Sequence, residues 1–174
     1  AGIQGSSHDF SQRSWNRTGE VCIVCHTPHW GEWGTGRHIP LWNHHTTQAV
    51  FTPYRSATMD ATVHSPDGIS LACLSCHDGT VAVDAYGQQA GFEYMQNNIG
   101  TDLSNDHPIS FVYDTALSTL DGHLHDPAST SSGLGGTIQR DLLRDNKVQC
   151  ISCHDVHNQY NQENFLVKSN AGSA

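Results

Sequence analysis

One five-residue pattern occurs three times in the 174-residue chain and uses every cysteine it has: Cys22-Ile23-Val24-Cys25-His26, Cys73-Leu74-Ser75-Cys76-His77 and Cys150-Ile151-Ser152-Cys153-His154. Two thiols one helical turn apart, followed at once by an imidazole, form the attachment sequence for c-type haem. The chemistry explains the spacing. The thiols make thioether bonds to the two vinyl groups of a porphyrin, and the next residue reaches the iron as its fifth ligand. Three disulfides would also use six cysteines of an exported chain. Zinc would take the thiol pairs two at a time and strand the third. Neither alternative accounts for a histidine after every pair. With 13 His in 174 residues, three such coincidences have a chance of about 4 in 10,000, for a motif already meaningful in one copy. The sequence therefore predicts three covalently bound haem c groups on Cys22, Cys25, Cys73, Cys76, Cys150 and Cys153, with His26, His77 and His154 as proximal iron ligands.

Ten histidines remain, and three irons offer three further axial positions. Met59 and Met95, the only methionines, cannot fill all three, so bis-histidine ligation is expected, with lower reduction potentials than His/Met ligation gives. His29 and His157 each stand three residues past a motif histidine. Residues three apart share one side of a helix, so neither can reach the far face of its own motif's haem. If either binds iron, it binds a neighbouring haem, which brings two haems close together. His107 precedes Pro108, which biases it to an extended backbone, beside the alternating Ile109, Phe111 and Tyr113 of a short strand. His44 follows Trp42, an aromatic able to pack on a porphyrin edge. His8 lies near the N-terminus, where ordering needs an anchor. Five residues, His8, His29, His44, His107 and His157, thus stand for three distal positions. His38, His45, His64, His123 and His125 read as surface residues.

Leu, Ile, Val and Phe together make up only 34 of the 174 residues, the edge of what can fill a protein core. Charged residues are also scarce, at 14%, unlike a disordered tail. Large flat apolar cofactors would make good the deficit. The expected fold is a coil-rich, haem-nucleated multihaem cytochrome c with a few short helices and minimal β-structure, one trihaem domain over 1–174. Each motif should form a short helix. A further helix is expected over 138–147, with strands at Val81-Ala82-Val83 and Phe111-Val112-Tyr113. Loops are expected over 31–40, 65–68 and 128–136, where Gly, Pro and Ser concentrate.

A formal charge of −9 argues against nucleic acid and anionic membrane surfaces as partners. No apolar run approaches the roughly 20 residues of a membrane span. The Ala1-Gly2 start suits a chain released by signal cleavage, as it would a trimmed one, and haem attachment to such motifs takes place outside the cytoplasm. Scattered aspartates (Asp78, Asp84, Asp102, Asp106, Asp155) lack calcium-loop spacing. Asn16-Arg17-Thr18 fits the glycosylation pattern in a single copy.

The segments Cys25-His26-Thr27-Pro28-His29, Pro40-Leu41-Trp42-Asn43, Cys73 to Ala82, Asn105 to Phe111 and Val148 to Asn158 together resemble the exported multihaem c-type cytochromes of metal-reducing bacteria. The resemblance covers most of the chain in pieces and leaves 115–147 aside. It implies electron transfer as the activity. Some members polymerise into extracellular filaments in which a histidine of one subunit ligates a haem of the next. In one such filament the bridging residue stands where His29 stands here. The resemblance thus implies self-association, with His29 as the shared ligand, and a secreted, extracellular or cell-surface location, otherwise periplasmic. The expected function is electron transfer through three closely packed haems, as a filament subunit passing electrons to redox proteins or external acceptors. A soluble periplasmic shuttle is the alternative, and a multihaem reductase with an open iron position the remaining one.

Overall fold

Only two of the three cysteine motifs lie on helices in the computed structural model, which describes residues 2–29 and 39–170. The second occupies the end of α1, Gly68–His77, entered from an extended Asp67 and closed by Asp78 and Gly79. Gly79 adopts φ +76°, a left-handed conformation that stops a helix at little cost only for glycine. The third is a single turn, α4, Cys150–Cys153. Its start is closed by Gln149 N donating to Ser152 Oγ at 2.9 Å and Ser152 N donating to Gln149 O at 2.8 Å. The first motif is not a helix. It makes one turn, closed by the His26 amide donating to Cys22 O at 2.8 Å, and ends because Pro28 disfavours helical backbone at Thr27.

The other elements are equally short. Strand β1, Phe111–Val112, pairs antiparallel with β2, Lys147–Val148, in the register Phe111 to Val148 and Val112 to Lys147. Between them lie α2, Thr115–Asp121, and α3, Ile138–Leu142, and a 3-10 turn follows at Glu163–Phe165. Most of the described chain is coil and turn, in keeping with a coil-rich fold of low β content. The helix expected over 138–147 stops at Leu142. Leu143 turns extended (ψ 150°) and is buried, and Asp145 and Asn146 take left-handed conformations that lead into β2. The strand expected at Val81-Ala82-Val83 does not form. Val83 N bonds Glu93 O once, and the chain then doubles back as Ala85 N reaches Ala82 O.

The apolar core is small: Phe51, Leu74, Leu103 and Ile109, with Ala49, Leu71 and Cys150 against them. Much of the remaining interior is polar, with Ser70, Ser75, Ser110, Thr47, Asp78 and Gln149 all buried. Asn16 is also buried, its amide nitrogen committed to Phe10 O and Glu20 O, so the glycosylation pattern there is a structural turn. No helix of the described residues is long and apolar enough to cross a membrane.

Candidate metal centres

Each motif histidine faces one histidine from a distant part of the chain. The His26 and His157 rings have centroids 6.3 Å apart and planes 15° from parallel. For His154 and His107 the values are 6.5 Å and 22°, and for His77 and His8 they are 6.0 Å and 71°. Here the angle swings from near-parallel to near-perpendicular while the spacing holds. An imidazole nitrogen binds a transition metal at about 2 Å and lies about 1.15 Å from its own ring centre, so two imidazoles across one metal have centres about 6.3 Å apart at any mutual rotation.

The surrounding chain orients these rings. His26 Nδ1 bonds Pro40 O and His154 Nδ1 bonds Asn164 O, each at 2.8 Å. A carbonyl only accepts, so Nδ1 carries the proton in both rings and Nε2 keeps its lone pair, the tautomer that metal-binding histidines adopt. The Pro40 carbonyl is held by a clamp on the first motif, where Thr27 N donates to Leu41 O and Asn43 N to Cys25 O. His8 sits on the turns of the N-terminal segment, its ring 4.9 Å from Phe165 and 6.3 Å from Phe10. Burial, with His77 adding to it, pushes its pKa down to about 4, so the imidazole is neutral near neutral pH. Its Nδ1 is buried with no hydrogen-bond partner. Burial also lowers the pKa of His77, as does nearby His154.

The thiols cluster as well. Cys73 hydrogen-bonds Cys150 of the third motif, which raises the Cys73 pKa and lowers that of Cys150. Cys25 of the first motif is near enough to raise both Cys73 and Cys76. The second motif therefore lies between the other two. A cleft of about 720 Å³ has Cys22 and Val21 on its lining together with His157, Asn158, Ile3 and Ser6. That volume is in the range of cofactor sites, and it joins a first-motif thiol to the histidine opposite His26.

The other two distal candidates lie elsewhere. His44 is buried at 1% exposure, with Nδ1 2.8 Å from His45 O, and Nε2 2.9 Å from Ala82 O and 3.6 Å from Cys76 Sγ. It braces the segment after the second motif and faces no motif histidine. His29 is exposed and absent from the ring pairs of the described residues. His45, His64, His123 and His125 are exposed, and His38 lies outside the described residues. Among the described residues no group of three or more His, Cys, Asp or Glu side chains is placed to hold a bare metal ion. The donors come in twos, the number that a porphyrin-bound iron leaves for the protein. The residues present thus fit the cofactor that the motifs imply.

Pro40 and Asn164 escape sequence reasoning because a backbone carbonyl has no residue signature. No family model matches the chain, and no curated protein matches it either.

Proposed function

We propose that the protein is an exported trihaem c-type cytochrome that transfers electrons. In this reading Cys22 and Cys25 would hold the first haem, with His26 and His157 as its protein donors. Cys73 and Cys76 would hold the second, with His77 and His8, and Cys150 and Cys153 the third, with His154 and His107. The observation that carries the reading is that each motif histidine is paired with one other histidine at a ring spacing of 6.0–6.5 Å. Haem iron held between two imidazoles supplies a one-electron couple that needs no ligand exchange. The chain's part is to lower the proton affinity of His8 and His77 by burial, fix the tautomers of His26 and His154 through Pro40 O and Asn164 O, and hold the motifs against one another.

Two protein donors per motif leave no coordination position for a substrate, which favours an electron carrier over a reductase. All three pairs are also completed within one chain. Self-association of the kind the resemblance implies would then rest on surface contacts, with His29 free of any ligand role. Haem would complete the small core around Leu74 and so nucleate the fold. An exported location follows from where such motifs are loaded, and the redox partners are other proteins or external acceptors.

Mass spectrometry and spin-state spectroscopy of protein matured with a c-type haem attachment system test the reading. The expected result is a chain carrying three haems, all low-spin. A chain with the mass of its amino acids alone refutes it. Electron microscopy of native material separates a filament from a monomeric shuttle.

A further inference from the structure

The second and third motifs are joined by a buried polar network that the ligand assignment does not use. Ser70 has 0% exposure and Gln149 3%. The Ser70 hydroxyl donates to Gln149 Oε1 and accepts from the Cys150 amide at 3.1 Å. Ser110 Oγ donates to the same Oε1 at 3.1 Å, and Gln149 Nε2 donates to Asp67 Oδ1 at 2.9 Å. Asp67 in turn pairs with Lys147 and donates its amide to Ser110 Oγ at 3.2 Å. Ser70 lies one turn before Cys73 on α1, and Cys150 is the first residue of α4. One hydroxyl therefore spans from the helix of the second motif to the first thiol-bearing residue of the third.

We infer that Ser70 and Gln149 are positioning residues that lock the second centre against the third and so set the coupling between those two haems. The inference rests on the haem reading above. Apolar packing alone tolerates small slides and rotations of one helix on another. A directional network with every member satisfied does not, and breaking it leaves buried groups unpaired. The consequence is visible in the packing of α1 against α4, the helices that carry the two motifs. The first motif is held by a separate clamp, through Leu41 and Asn43. Loss of the network should disturb two centres and spare the first.

The test uses the mature holoprotein, with Ser70→Ala set against the hydroxyl-retaining Ser70→Thr. The readouts are circular dichroism in the Soret band, where two coupled haems give a paired positive and negative signal, and potentiometric titration. Ser70→Ala, still carrying three low-spin haems, is expected to lose most of that paired signal and to shift two of the three potentials. Ser70→Thr should restore both. An unchanged signal with unchanged potentials overturns the inference, as does a shift of all three potentials together or a wild-type protein without the paired signal. Should Ser70→Ala fail to mature, Ser110→Ala removes one donor to Gln149 and keeps the Ser70 link. A smaller change in the same direction supports the inference there, and no change overturns it. Wild-type protein lacking haem, seen by mass alone, instead sinks the reading beneath it.

Discussion

Replacing His157 with glycine removes one imidazole from the pair it forms with His26, and with it a 3.9 Å contact to the Asp155 carboxylate. The three ring pairs share no member, so the effect should stay in one centre: about one third of the haem turns high-spin while two thirds stay low-spin. The 6.3 Å between the rings is the space that an added imidazole would re-enter. A tethered group acts at an effective concentration of order millimolar or more, so free imidazole should restore the low-spin spectrum only from about millimolar upward. Electron paramagnetic resonance and optical spectra of the purified His157→Gly holoprotein read both effects. A uniformly low-spin spectrum would refute the pairing, and so would an equal change in His29→Gly or His44→Gly.

Chain produced without haem attachment should be largely unfolded, given a packed apolar cluster of four buried residues among those described; near-native far-ultraviolet circular dichroism of the apo-protein would contradict this. Asp114→Ala removes the side chain that accepts from Leu117 N at the start of α2 and should cost about 1 kcal/mol, seen as faster hydrogen exchange across 115–121. Hydrogen bonds from Ser132 and Arg140 hold the Asp141 carboxyl below its ordinary 3.8. A depressed folded pKa gives stability that is complete above the unfolded value and lost as pH falls through the folded one. Asp141→Asn should therefore reduce the acid sensitivity of unfolding below about pH 4 and leave that at neutral pH unchanged, as acid denaturation curves would show.

The three thiol pairs with their histidines, the shortage of apolar residues and the coil-rich character are local and compositional, so they stand in the sequence. Helix α2 was legible too: Asp114 and Gly122 bracket it as a cap and a left-handed stop, a signal easily passed over in a segment without motifs. The first motif's failure to form a helix could also be read from Pro28. The choice among five histidines could not. His8 lies 69 residues from His77, and His157 lies 131 from His26, and nothing in local spacing records which loop returns to which motif. His44 does stand beside Trp42, with ring centroids 5.9 Å apart, but it lies near the Cys76 thiol and not opposite a motif histidine. Sequence alone determined that six thiols and three adjoining imidazoles repeat one pattern, because its members are close along the chain. Tertiary structure alone decided which imidazole stands opposite each, because side chains that meet in space need not be near along the chain.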